Sequence, residues 1–323
     1  MCNEKQKGRI DFFLLLRLLG IILFIVILSR VDFSAAFQHI KNVKLLFLLF
    51  GILFQLLLLF TKACRWHLLN DGRFSRIAVF QSFGEFFESY AIGVVTPGRM
   101  GELIKAGYAK EKSKMFDAGL KVLIERGFDL GFFLVLAGIG LFIYPKIENN
   151  QFFGILVFLT GLSGILAALL LMVNKRSLGF IEKILHSIKL LKKDLSLQFK
   201  RRPIKESSLI VLFSLISNLS YFASCYLLAL GLRLDISFLH VSLGVAIAGL
   251  FNMLPITVMG LGTREATFLF VFESFSESVI LALSGLVFFV AQVGGGLMAL
   301  LLGMFFLHHA RTGFDKQYYP ETI

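Results

Sequence analysis

Apolar runs of about 20 residues recur along the chain, each bounded by clusters of Lys and Arg or by short polar segments. Wound as a helix at about 1.5 Å per residue, such a run spans roughly 30 Å of hydrocarbon. Six read as full crossings: Phe12 to Leu28, Leu45 to Ala63, Met115 to Tyr144, Phe152 to Val173, Ser208 to Leu230 and Val279 to Leu307. Two other apolar stretches are broken. Ile77 to Val95 holds Glu85, Glu88 and glycines, and has basic residues on both sides: Arg73 and Arg76 before it, Arg99, Lys105, Lys110, Lys112 and Lys114 after it. Basic flanks on both sides predict a re-entrant hairpin that enters and leaves on the cytoplasmic face, surrounded by protein or water. Phe238 to Leu254 runs into Pro255 and a glycine-punctuated turn, and a short apolar piece, Ala266 to Phe272, follows. The pattern therefore predicts an all-α polytopic membrane protein of about six full spans plus two re-entrant broken segments, in one membrane domain over residues 1–323.

Composition agrees. Hydrophobic residues fill 57% of the 323 positions and charged residues 17%, too little charge for a soluble domain of this size. The 37 phenylalanines lie mostly inside the apolar runs. The net charge of +12 sits in the flanks of those runs, where it sets topology, and no nucleic-acid recognition motif accompanies it. Lys5, Lys7 and Arg9 put the N-terminus in the cytoplasm, and His308, His309 and Arg311 put the C-terminus there too. Lys62, Arg65, Arg73 and Arg76 read as the cytoplasmic exit of the second span. Residues 175–205 hold ten basic and two acidic side chains, with Ile181, Ile184, Leu185, Ile188, Leu191 and Leu195 at helical spacing. That is the pattern of an amphipathic helix on the anionic inner leaflet, the alternative being an ordinary topogenic loop. The first run lacks a small-residue cleavage site and reads as a retained helix. Cys2, Cys64 and Cys225 form no CxxC or metal-ligand spacing, so no metal or cofactor is expected.

The order span, span, broken segment, long span occurs twice, over about residues 1–148 and about 150–310. With each broken segment re-entrant, each half crosses three times and the halves have inverted topology, as in many transporters. The breaks also look alike. The first reads Thr96-Pro97-Gly98-Arg99-Met100-Gly101-Glu102; the second reads Leu254-Pro255, then Gly260-Leu261-Gly262-Thr263-Arg264-Glu265. Proline stops the helix, because it lacks a donor and clashes with the preceding turn. Glycine at positions 98, 101, 260 and 262 permits reversal and close backbone approach. A helix restarting after the break aims free N–H groups into the gap, where an anion fits. Arg99 and Arg264 offer bidentate contacts to phosphate.

Glu125, Arg126 and Asp129 lie within the long fourth apolar segment. Each charge near mid-membrane costs roughly 2.5–3.5 kcal/mol on insertion scales, so the three need partners or a wet cavity. The bland arrangement pairs Glu125 with Lys121 and Arg126 with Glu102. Glu85 and Glu88, three apart on one face, would pair with Arg126 or Arg99. The functional arrangement sets the same groups around a headgroup path, and the two overlap.

The run Gly93-Val94-Val95-Thr96-Pro97-Gly98-Arg99-Met100-Gly101-Glu102, with Glu125-Arg126-Gly127-Phe128-Asp129 and the later Gly260 to Glu265 signature, resembles the lysylphosphatidylglycerol synthase transmembrane family, over roughly residues 10–310. In the multiple peptide resistance factors of that family, this part flips aminoacylated phosphatidylglycerol outward, and a soluble C-terminal domain makes the lipid. The present chain ends about 15 residues after its last span, so the resemblance implies a stand-alone flippase-like protein of the inner cell membrane without the aminoacyltransferase. It leaves the lipid open, because other stand-alone relatives are associated with envelope glycolipid or polyprenyl-phosphate pathways. On this reading Arg99, Glu102, Glu125, Arg126, Asp129, Arg264 and Glu265 contact substrate, while Pro97, Gly98, Gly101, Pro255, Gly260 and Gly262 shape the breaks. Membrane lipids are the expected partners, and a homo-oligomer is left open. Two other functions stay in view: a membrane-embedded transferase on a lipid-linked substrate, and a scaffold that recruits partners through 175–205.

Overall fold

The computed structural model describes residues 33–70, 75–108, 112–144, 151–174, 179, 183, 202–254 and 259–318. The first expected span, Pro255 and most of the basic 175–205 segment lie outside these residues. The described chain is α-helical and no strand occurs in it. Its helices are α1 (Phe33–Lys41), α2 (Leu45–Asn70), α3 (Arg76–Val95), α4 (Lys112–Ile143), α5 (Gln151–Val173), α6 (Ile204–Gly231), α7 (Phe238–Met253), α8 (Thr263–Val271), α9 (Glu277–Val287) and α10 (Gly295–Tyr318). A 3-10 segment, Pro97–Leu103, and one helical turn, Ile104–Gly107, join α3 to α4; a π-helical segment, Phe288–Gly294, makes α9 and α10 one rod. Among the described residues, five helices are long and apolar enough to cross a membrane: Leu45–Asn70, Met115–Ile143, Gln151–Val173, Ile204–Gly231 and Glu277–Thr312. These coincide with the five expected spans that fall in the described region. The protein is an all-α polytopic membrane protein.

The helices pack in antiparallel pairs whose contacts follow the sequence. In α2 and α6, the Lys44 N–H donates to the Gly231 carbonyl at 3.2 Å, the Ser224 hydroxyl to the Gly51 carbonyl at 2.8 Å, and Arg202 to the Leu69 carbonyl at 2.8 Å. In α4 and α5 the contact runs through small residues: Gly127 faces Ala168, Gly131 faces Gly161, and Gly138 faces Gly154. A Cβ on Gly138 would lie 2.5 Å from the Phe158 nitrogen, so the backbones sit too close for any larger residue. Helices in lipid gain little from burying apolar surface against each other, and close backbone contact of this kind supplies the attraction instead. The bulk goes outward. Phe152, Leu156, Leu159 and Leu166 of α5, and Leu297, Leu301 and Met304 of α10, are exposed, as a lipid-facing surface requires.

Two hairpins enter this bundle from opposite ends. In the first, α3 lies antiparallel to α10, with Gly84 against Leu307 and Gly303 against Glu88. The chain then reverses at Thr96–Arg99 and returns along α3: Gly101 lies on Ile92 and Gly93, and Lys105 on Phe86. Ile77–Val95, read from its basic flanks as the hairpin, is one continuous helix, capped by Ser75, whose hydroxyl accepts from the Ala78 N–H; the reversal comes after it, at the Pro97–Gly98 break. Its internal glycines serve contact with α10 and the return leg rather than bending. In the second hairpin, α7 descends along α4, with Tyr144 stacked on His240 and Gly249 against Phe133. After the break, α8 climbs back along α7, with Phe272 against Gly244 and the His240 ring against the Val271 carbonyl at 3.1 Å. The first hairpin thus starts at the end of the bundle where α2 finishes, the second at the end where α4 finishes. Their tips meet at the middle of α4, near residues 126–133.

A second correction concerns α2. The sequence read Lys62 and Arg65 as an aqueous exit after Ala63, but the helix continues to Asn70 and both side chains are interior. Carboxylates on α4 meet them there, which offsets the cost of taking them out of water.

Candidate functional site

The backbone at each tip is left-handed. Gly98 (φ 59°) and Arg99 (φ 54°) form the first reversal; Met259 (φ 57°), Gly260 (φ 74°) and Gly262 (φ 83°) form the second. Glycine adopts this region freely, whereas Arg99 and Met259 carry steric strain of about 1–2 kcal/mol each. At the first tip the Thr96 hydroxyl donates to the Gly93 carbonyl at 3.0 Å and accepts from the Gly101 N–H at 2.7 Å, locking the reversal. Gly101 allows the return leg to lie on α3: a Cβ there would come within 2.7 Å of the Ile92 carbonyl.

The return leg has two faces. Met100, Leu103 and Ile104 are exposed and, with Met115, Gly119 and Leu123 of α4, line an apolar surface groove. Arg99, Glu102 and Lys105 point the other way, into the bundle, and join a continuous ionic network. Arg65 holds both α4 carboxylates: its Nε donates to Glu125 at 3.2 Å and its Nη1 to Asp129 at 2.8 Å. The Lys62 ammonium adds a bond to Asp129 at 2.7 Å, and the Lys105 ammonium one to Glu125 at 2.6 Å. Lys105, fully buried, also lies over the Trp66 and Phe86 rings. Arg126 pairs with Glu102 at 3.0 Å, as expected from the sequence, and donates to the Arg99 carbonyl at 3.1 Å. Arg99 is held more loosely, 3.7 Å from Glu102 and 3.5 Å from the Gln292 side-chain oxygen, with the Tyr90 ring 5.2 Å below it.

Three expected pairings are replaced. Glu125 takes Arg65 and Lys105, while Lys121 turns to Asn70 at 3.1 Å, because α2 offers Glu125 a closer guanidinium. Glu85 accepts from Asn70 and Gln81, and Glu88 from the Tyr108 hydroxyl, so neither reaches Arg99 or Arg126. The reversal lies a helical turn or more beyond both glutamates, which leaves them beside the return leg rather than at the tip.

The second tip is self-contained. Arg264 pairs with its neighbour Glu265 and donates from Nε to the Ser284 hydroxyl at 2.8 Å, and that hydroxyl donates to Glu265 at 2.7 Å. Glu265 also accepts the Gly262 N–H at 2.7 Å. The N-cap N–H of the restarted α8 is therefore occupied by the helix's own Glu265, and the Arg264 N–H by the Gly260 carbonyl, so neither is free for an anion as the sequence suggested. Arg264 stacks over Phe288 at 5.1 Å and its Nη1, buried, has no partner.

Between the tips lie two cavities. The first, about 40 Å³, is lined by Lys62, Tyr90, Arg99, Arg126, Asp129 and Asn218, among others. The second, about 10 Å³, is lined by Met259, Gly260, Arg264 and Gln292. Tyr221, Gly249 and Asn252 line both, so they form one interrupted cleft, with room here for water. Lys62, Arg65, Lys105, Tyr90, Asn218, Tyr221, Asn252 and Gln292 were not singled out from the sequence. For Lys62 and Arg65 a signal existed: the apolar pattern resumes at Trp66 and continues through Leu69.

Residues 13–306 match the family described as the lysylphosphatidylglycerol synthase TM region. The chain belongs to this family. Membership sets it among membrane proteins concerned with lipid modification or translocation. No curated protein matches the chain. Within this family chain, the two short signatures that carried the resemblance are the two hairpin tips, and the Glu125 to Asp129 run is the α4 segment beside which they meet.

Proposed function

We propose that this family member moves a phospholipid or another anionic or aminoacylated lipid between the leaflets of the cell membrane, without chemistry. The observation that carries the reading is the two-faced return leg: Met100 and Leu103 border an apolar groove open to lipid, while Arg99, on the same short segment, lines the polar cleft with Glu102 behind it. A lipid can keep its acyl chains on one side of that segment while its headgroup enters the other. Interior charges of transmembrane helices commonly mark such paths.

The hairpins play the part of the discontinuous helices of transporters built from inverted repeats, here about residues 1–148 and 150–310. With the N-terminus and C-terminus cytoplasmic, the first hairpin opens from the cytoplasm and the second from outside. Arg99, Arg126 and Arg264 then meet phosphate, while Glu102 and Glu265 hold them in place and Glu125 and Asp129 fix Arg65, Lys62 and Lys105 behind them. The water-sized cleft corresponds to an occluded conformation, and transport requires the tips to part in turn. The residues 175–205 supply attraction to the anionic inner leaflet. Against a transferase, the carboxylates beside the cleft, Glu102, Glu125 and Asp129, are each engaged by cations, which weakens them as bases.

The test is reconstitution in liposomes with fluorescent lipids and a membrane-impermeant quencher. Accelerated exchange of at least one lipid is expected. Exchange no faster than in protein-free vesicles, across several anionic and zwitterionic lipids, would sink the proposal.

A further inference from the structure

The cleft is electrically unbalanced. Around its first half, five cations (Lys62, Arg65, Arg99, Lys105 and Arg126) share three carboxylates, Glu102, Glu125 and Asp129. Glu125 and Asp129 are taken up by Arg65, Lys105 and Lys62, so Glu102 alone stands between two guanidiniums. Of these, Arg126 makes the close contact, and Arg99 stays beyond hydrogen-bond distance. Arg99 and Arg126 are guanidiniums, which do not give up their protons at any accessible pH, so the excess beside Glu102 cannot vanish by titration. Arg264 and Glu265 cancel at the second half, but there the Nη1 of Arg264 is a buried donor with nothing to donate to, on the wall of the cavity. A buried surplus of positive charge and an unmade hydrogen bond are both costly, and both are relieved by one kind of occupant. It is an anion with more than one negative charge.

We infer that the cleft selects a phosphate-type headgroup carrying about two negative charges, a phosphomonoester or diphosphate lipid, over headgroups with a single negative charge, and rejects cationic, aminoacylated ones. This rests on the translocation reading above. An aminoacylated headgroup would bring an ammonium beside Arg99, Arg126 and Lys62, where no carboxylate is free to receive it. A doubly charged phosphate would instead take Arg99 and Arg126 through parallel N–H bonds, and a second phosphoryl group would reach Arg264 past Gln292, Asn252 and Tyr221.

The experiment measures leaflet exchange of labelled phosphatidate, phosphatidylglycerol and lysylphosphatidylglycerol in the same proteoliposomes at pH 8, where the phosphomonoester is largely dianionic. Phosphatidate should exchange at least about tenfold faster than the lysyl lipid, with phosphatidylglycerol between them, since like-charge juxtaposition costs several kcal/mol. In Arg99→Gln and Arg264→Gln that ratio should fall to within about threefold, since each removes one discriminating charge. Because a ratio from one preparation does not depend on the folded fraction, poor expression of either variant leaves the readout intact. Equal rates for the three lipids, or the lysyl lipid fastest, overturn the inference while translocation stands. No exchange of any lipid overturns translocation and the inference with it. A parallel arm loads vesicles with inorganic phosphate: phosphate efflux without lipid exchange assigns the cleft to the free anion and also refutes a lipid headgroup.

Discussion

The two hairpin tips share a backbone and differ in charge. Each has a non-glycine residue with positive φ beside a glycine with positive φ, Arg99 beside Gly98 and Met259 beside Gly260. Yet the first tip spreads its charges over α2, α4 and the return leg, so that no carboxylate belongs to one partner. The second closes Arg264, Glu265 and Ser284 on themselves. Similar motifs thus specify a similar turn and leave the electrostatics to whichever helix lies opposite. At the first tip that helix is α4, with its own Glu125, Arg126 and Asp129; at the second it is α9, which supplies only Ser284.

The sharpest way to break this contrast is to remove a shared carboxylate. Asp129→Asn takes from Lys62 its carboxylate and leaves Arg65 with Glu125, and should cost about 3–5 kcal/mol, read as a large drop in detergent melting temperature. Arg264→Leu should cost less, about 1–3 kcal/mol, because Gly262 and Ser284 still hold Glu265. Equal losses would mean that the second tip is not self-contained. Gly101→Ala should destabilise by about 1–3 kcal/mol through collision with Ile92, while Gly107→Ala, which has open space, should change stability by less than about 0.5 kcal/mol. The smallest effect separates the tips by function. Arg99→Gly and Met259→Gly should each relieve up to about 1 kcal/mol of left-handed strain, but only the former should slow leaflet exchange.

The fold was legible where apolar length speaks for itself. Five long helices and both breaks stand where hydropathy and the Pro-Gly signatures put them, and Arg126 found Glu102. What misled was the meaning of basic residues near a helix end. Lys62 and Arg65 follow an apolar run and so read as cytoplasmic flank, and Lys105 read as part of another. Composition cannot tell a lysine in water from one neutralised by a carboxylate on a different helix, because the partner is 20 to 67 residues away. The aromatic and amide wall of the cleft was invisible for the same reason: Tyr90, Tyr221 and Asn252 look like ordinary helix residues until three elements converge on them.

The π-helical segment at Phe288–Gly294 has a consequence for the whole rod from α9 to α10. One surplus residue in that turn advances everything after it by about 100° of rotation relative to an unbroken α-helix. Ser284 can therefore address Arg264 while Gly296 and Gly303 still lie flush against α3, a combination that a uniform helix would put out of phase. Deleting a single residue there would restore a uniform helix and swing one half of its contacts toward lipid, uncoupling the hairpins that the rod now links.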